Sequence, residues 1–299
     1  MYSYKAYELT IHSEFPIPEF IPHPGGVADV TLRYGEVPEQ LDPIDGRGVL
    51  YQANARQFLL KLDEVAHYLV QNGNEIIVNP RGTVADMRVF LLGSALGALL
   101  HQRGLLVLHA AAFHTPAGAV LLCGVSGAGK STLLNELLRR GYPMLVDDVC
   151  GVAIAEDQPL VLPGYPRTRL WLDSAKKLGQ SLEGLERTRP SLEKYERQVP
   201  QHYWDQPAPL HKIYLLTSHN QEAIQLEDIP RLQGFGVVTH NTYRYQFLEG
   251  LAMQAPHFKL VAAVAQRVPV ARVTRPSGGF LLTELADAVE QDLALPVGV

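Results

Sequence analysis

Cysteine is scarce in this chain, with two among 299 residues. Cys123 and Cys150 each lie inside an apolar, strand-like run and do not form a C-x-x-C pair. That excludes a disulfide framework and a cysteine-based zinc site, and both are expected to be core thiols. A basic excess is missing too. Lysine and arginine number 26 against 31 aspartates and glutamates, a net charge of −5, so no face suited to a nucleic-acid backbone is expected. There is no charged start followed by an apolar leader segment. The longest apolar stretch, around Leu105 to Val125, is broken by histidine, proline and glycine and does not read as a membrane-spanning helix. Internal repeats and low-complexity tracts are absent. The expectation is a soluble, cytoplasmic protein without nucleic-acid or membrane partners.

Against that plain background one stretch stands out. GVSGAGKST, from Gly124 to Thr132, fits G-x-x-x-x-G-K-[ST] at Gly124, Gly129, Lys130 and Ser131. Glycines let backbone N–H groups turn inward around phosphates, so Ser126, Gly127, Ala128, Gly129 and Thr132 are candidate amide donors. Lys130 would reach the β- and γ-phosphates, and the Ser131 hydroxyl would ligate Mg²⁺. The context agrees. AVLLC before the loop reads as a buried strand, and TLLNELLRRG after it reads as a helix whose N-terminus faces the anion. A nucleoside triphosphate, ATP, is the expected ligand. Next comes YPMLVDDV, an apolar strand from Tyr142 to Val146 expected to end in Asp147 and Asp148. In P-loop proteins such a strand presents a carboxylate to the Mg²⁺. Two adjacent carboxylates allow two roles, with Asp148 on the metal and Asp147 on an incoming hydroxyl.

The segment GVSGAGKSTLLNELLRRGYPMLVDDV resembles the catalytic segment of the HPr serine kinase family. His109, closing the apolar run LLVLH, stands where that family also carries a histidine. The closer similarity is to HPr kinase-like enzymes encoded with lasso peptides, through YKAYELTIHSEFPIPEF, PGYPRTRLWLDS and VARVTRP. What this resemblance implies is a kinase for the C-terminal serine of a ribosomal precursor peptide. The HPr kinases carry a Glu-Ile-Arg-Gly type motif after the aspartate pair, linked to a second metal contact and to phosphorolysis. Here that region reads GYPRTRLWLDS instead, with Asp173 as the candidate for the motif's acidic residue on the metal and Arg167 or Arg169 for its cationic one. Phosphorolysis is therefore not carried over.

Elsewhere the pattern gives organisation. The first 84 residues alternate in short runs punctuated by the proline-rich FPIPEFIPHPGG, which cannot be helical. QNGN reads as the turn of a hairpin. This predicts a small β-rich domain over 1–84 and an α/β, P-loop, HPr kinase-like catalytic domain over 85–299. MRVFLLGSALGALLHQRG, from Met87, has helical apolar spacing that tolerates Gly93 and Gly97. The charged stretch from Ser181 to Pro209 reads as a flap, with Lys194, Arg197, Tyr203 and Trp204 as surface residues. His114 reads as a turn residue. Arg167 and Arg169, two apart in an extended run, share one face and could grip a phosphate or carboxylate. Arg275, ending a strand, is a further phosphate candidate.

These readings combine into a Mg²⁺- and ATP-dependent serine kinase. Asp147 acts as base, Ser131 and Asp148 as metal ligands, and His109, Lys130 and arginines stabilise the transferred group. Its partner would be a peptide or protein bearing an acceptor serine, and self-association is left open. Two alternatives stand: a kinase of a hydroxy metabolite or HPr-like carrier, and an ATP-dependent switch.

Overall fold

The computed structural model describes residues 1–171, 186–189, 192–278 and 281–294. Period-two alternation at the start makes strands, as in β2, where every second residue is buried. β1 (Tyr2–Ala6), β2 (Leu9–Ser13), β3 (Ile21–Pro22), β4 (Val30–Tyr34) and β5 (Gly46–Arg47) are followed by β6 (Tyr51–Ala53) and β7 (Gln57–Leu62). β8 (Ala66–Gln71) and β9 (Glu75–Pro80) complete a nine-stranded sheet, ordered β3-β1-β2-β4-β9-β8-β7-β6-β5. The QNGN turn joins β8 to β9 as expected, with Asn72 and Gly73 at positive φ.

α1 runs over Val84–Gln102. Thr83 caps it by accepting from the Asp86 amide, and Leu91–Ala95 forms a π-helical stretch in its middle. Its length and hydropathy would suffice to cross a membrane, but 67% of that window is buried inside the protein. It packs on β8 of the first sheet and on β10 (Leu106–Thr115) of the second, joining one hydrophobic core across both.

The second sheet holds β10, β11 (Gly118–Cys123), β12 (Met144–Ala155), β13 (Gln158–Val161), β17 (Ala208–His219), β18 (Gln225–Ile229) and β19 (Val270–Pro276). Its order is β11-β10-β12-β13-β17-β19-β18, and β11 also pairs in parallel with β17. The first five strands therefore close on themselves, and β11, which leads into the GVSGAGKST loop, is bonded on both sides. α2 (Lys130–Arg139) and α6 (Leu282–Asp292) cover one face through Leu133, Leu137, Leu285 and Val289. α3 (Arg231–His240), α4 (Phe247–Gly250) and α5 (Gln254–Arg267) contribute Val238, Phe247, Val261 and Val264 to the core shared with α1. β14 (Arg167–Trp171), β15 (Glu186–Arg189) and β16 (Leu192–Gln198) make a small third sheet, β14-β16-β15.

Three expectations change. β12 does not end at the aspartates but continues to Ala155, because β10 and then β13 keep pairing with it. His114 is a strand residue of β10, and its ring stacks on Trp204 with centroids 3.7 Å apart. Trp204, expected on an open loop, is thereby packed, and its amide donates to the Met144 carbonyl. Both cysteines are unpaired and buried in the core, and burial raises the Cys123 thiol to about 12.

Candidate functional site

The loop between β11 and α2 follows from its glycines. Gly124 has φ 143°, and a Cβ there would stand 2.8 Å from the Leu216 carbonyl oxygen, so only glycine lets the chain turn so close to β17. Gly127 and Gly129 also take positive φ. No side chain caps the N-terminus of α2, the helix end at which partial positive charge gathers. Lys130 is buried, and its ammonium donates to the carbonyls of Gly124 at 2.7 Å and Val125 at 3.2 Å.

From Lys130 a chain of polar contacts leads to both aspartates. The Lys130 ammonium lies 3.0 Å from His109 Nε2. An ammonium can only donate, so Nε2 accepts and the ring proton sits on Nδ1. Nδ1 in turn reaches Asp148 Oδ1 at 3.1 Å. Arg169 closes the chain from β14 with an ion pair to the other Asp148 oxygen. Burial works against the Arg169 charge, but Asp148, then Tyr165 and Glu196, outweigh it and raise its pKa. Asp148 holds φ 94°, a conformation costly for a non-glycine residue and met at functional sites.

Asp147 sits elsewhere in the same cluster. Ser131 Oγ donates to its Oδ1 at 2.9 Å, while the Arg169 amide at 3.0 Å and Thr168 Oγ1 at 3.2 Å donate to Oδ2. Asn135 fixes Thr168, donating to its hydroxyl at 2.8 Å. The sequence paired Ser131 with Asp148; the structure pairs it with Asp147 and turns Asp148 toward His109 and Arg169.

The two arginines of β14 part company. Arg167 is buried, with its guanidinium on Glu196 Oε2 at 2.6 Å and 3.9 Å from Glu19 Oε1. It braces β14 against β16 and the proline-rich connection that carries Glu19, whereas the expected phosphate contact would need its guanidinium to leave these carboxylates. Arg275 is brought close: its Nε lies 4.0 Å from where a Gly129 side chain would begin. Asp173 lies outside the described residues.

Sequence reasoning missed Asn241, at the end of α3. Its Oδ1 accepts from the Gly124 amide at 2.9 Å, and its carbonyl accepts from the His109 amide at 2.7 Å. One residue thus holds the loop and the histidine in register. The first contact spans 117 positions, and nothing local in HNTYRY signals it.

Among the described residues, no cluster of three or more His, Cys, Asp or Glu side chains is set to chelate a metal. The adjoining Ser131 hydroxyl and Asp147 carboxylate do fit Mg²⁺, which takes one or two protein oxygens and completes its shell with water and phosphate. Beside the loop opens a cavity of 1140 Å³ lined by His109, Asp148, Arg169 and Tyr243 among others.

No protein-family model matches the chain, and no curated protein matches it. Among solved structures it is similar to the Hpr(Ser) kinase/phosphatase from Coxiella burnetii. The identity is 13% with a TM-score of 0.32, over 63% of this chain and 93% of that one.

Proposed function

We propose that the chain is an ATP- and Mg²⁺-dependent kinase that moves the γ-phosphoryl group of ATP to a serine hydroxyl. The observation that carries this reading is the unbroken chain Lys130–His109–Asp148–Arg169 next to the separate Ser131–Asp147 pair. One carboxylate is engaged by the hydroxyl of the P-loop motif and the other by a histidine and an arginine. The roles suggested by sequence for the two aspartates are exchanged accordingly. Ser131 and Asp147 would hold Mg²⁺, which neutralises charge on the β- and γ-phosphates when bound. Asp148 takes the proton of the acceptor hydroxyl, whose oxygen bonds to the γ-phosphorus as the bond to the bridging oxygen of ADP breaks. Lys130 and Arg169 stabilise the equatorial oxygens, and Arg275 approaches from β19. The acceptor we propose is the C-terminal serine of a ribosomal precursor peptide, on the sequence resemblance alone. A hydroxy metabolite, a carrier protein and a plain ATP-dependent switch are outcomes of the same test.

The test is mass spectrometry of a serine-ending peptide incubated with Mg²⁺, ATP and three forms of the protein. Wild type should add one phosphate to the terminal serine. Asp148→Asn should bind Mg-ATP yet transfer about 10²–10⁴-fold more slowly, the range for a lost general base. Asp147→Asn should weaken nucleotide binding only when Mg²⁺ is present. Were Asp148→Asn the variant with the Mg²⁺-dependent binding defect, the exchange of roles would be wrong. An unmodified peptide beside a phosphorylated metabolite or carrier would replace the acceptor.

A further inference from the structure

The cavity beside the P-loop exceeds what one ligand needs. It measures 1140 Å³, against roughly 300–1,000 Å³ for pockets that enclose a drug-sized molecule. The turn Gly124–Ser126 lies in its lining, and the remaining walls fall on two flanks. Sheet order dictates the division, since β10 and β12 lie on one side of β11 and β17 and β19 on the other. The first flank carries His109, Asp148 and Arg169, with Gly93 of the π-helical stretch, Tyr243 and Arg244. The second carries Leu215 and Thr217 of β17, Arg272 of β19, and Gln233 and Gly236 of α3.

We propose that these flanks are two subsites. The α3 flank takes the nucleoside, and the α1 flank takes the acceptor, whose carboxylate is read by Arg244. The proposal rests on the kinase reading above and extends it to substrate recognition. Phosphoryl transfer needs the attacking and leaving oxygens roughly in line, on opposite sides of the phosphorus. Asp148, which handles the attacking hydroxyl, faces the α1 flank, so ADP must extend along the other.

Charge separates the flanks further. Arg272 is matched by Glu227 at 2.6 Å, which leaves the α3 rim without a net cation. Arg244 is exposed, at φ 52°, with its guanidinium 5.8 Å from the centre of the Tyr243 ring. Its partner is the Tyr243 side chain, to which it is hydrogen-bonded, and not a carboxylate. By contrast Arg140 and Arg167 are paired with the carboxylates of Glu290 and Glu196, and Arg169 with Asp148 inside the site itself. An exposed guanidinium fork in the lining of the cavity suits a planar, bidentate anion. The Tyr243 ring beneath it lies against α1, where Gly93 and Gly97 leave room. A hydroxyl reaching Asp148 from that flank would leave its carboxylate near Arg244, which fits a terminal serine better than an internal one.

Two variants and one peptide pair test this. The peptide ends in serine, once as the free acid and once as the amide, and nucleotide binding is followed with a fluorescent ATP analogue. Wild type should prefer the acid by about ten-fold or more in kcat/KM, the worth of a charge-assisted hydrogen bond. Arg244→Gln should erase that preference. Gly236→Leu places its side chain in open space, the nearest atom to its Cβ being 4.0 Å away on His240. It should weaken the ATP analogue by about ten-fold or more while the acid preference persists. A wild type indifferent to the carboxylate, or an Arg244→Gln that keeps the preference, overturns the acceptor subsite. A Gly236→Leu that binds nucleotide normally overturns the nucleoside subsite. If neither peptide is phosphorylated while Gly236→Leu still loses nucleotide, the peptide reading and the acceptor subsite fall together and the nucleoside subsite stands.

Discussion

Histidines in this molecule hold structure as well as chemistry, and His101 shows the difference. It lies buried near the end of α1, where its Nε2 donates to the Tyr243 carbonyl at 2.9 Å. Burial lowers its pKa from 6.5 to about 4, against the upward pull of that hydrogen bond. The linkage sign follows. Above pH 6.5 the imidazole is neutral in folded and unfolded chains alike and stability is independent of it. Between pH 6.5 and 4 the unfolded chain takes up a proton that the folded chain refuses, so stability falls as pH falls, by about 3 kcal/mol in all. His101→Gln keeps a donor for the Tyr243 carbonyl and cannot titrate. Urea unfolding across this window should therefore show a shallower acid loss in the variant than in wild type. Equal slopes would mean that the imidazole is not held neutral by the fold. Because Tyr243 lines the cavity beside His109 and Asp148, acid stress at His101 bears on the candidate site from behind.

At the scale of elements, α1 is where a local rule reverses. Replacing glycine by alanine inside a helix ordinarily gains about 1 kcal/mol. A Cβ at Gly97, however, would stand 2.8 and 2.9 Å from two carbons of the Tyr243 ring. That ring cannot simply back away, since the Tyr243 amide is bonded to the Val107 carbonyl of β10 at 2.8 Å. Overpacking of this kind costs about 1–3 kcal/mol, so Gly97→Ala should lower the melting temperature, and a rise would show the contact to be slack. The helix itself was legible from its apolar spacing, but the purpose of its glycines was not, because their partner lies well over a hundred residues away. The same holds around the loop. Lys130, Ser131 and the aspartate pair are local motifs and could be read directly. Which aspartate meets Ser131 depends on how β12 pairs with β10 and on the positive φ of Asp148, and neither has a local signature. Arg167 and Arg169 share a face as their spacing implied. Both meet Glu196, and their different fates were set by their other partners, Glu19 for Arg167 and Asp148 for Arg169, which no local spacing reveals.

The whole molecule is tied together across the position where sequence suggested a boundary. The first sheet ends at Pro80 and α1 begins at Val84, yet the core cluster runs from Tyr4 and Ile11 through α1 to Leu108 and Val149. Polar contacts cross as well. The Tyr7 hydroxyl donates to the Val149 carbonyl at 2.7 Å, one residue from Asp148, and the Tyr7 amide donates to Pro163 at 2.8 Å. Glu19, from the proline-rich connection, is buried against Arg88 at 2.9 Å and near Arg167. Deleting residues 1–84 would strip apolar cover from α1 and leave these two arginines short of a buried carboxylate. Breaking a buried pair by removing one partner alone costs about 3–5 kcal/mol, a large part of the roughly 5–15 kcal/mol that holds a typical protein folded. The fragment 85–299 should therefore fail to give a cooperative unfolding transition or to bind the ATP analogue, while the full chain unfolds in a single calorimetric step. A fragment that folds and binds nucleotide as tightly as the intact protein would show that the first sheet is a separable attachment. The buried carboxylate of Glu19 argues for the opposite: residues before position 85 complete the charge network that holds β14, and β14 carries Arg169 to Asp148.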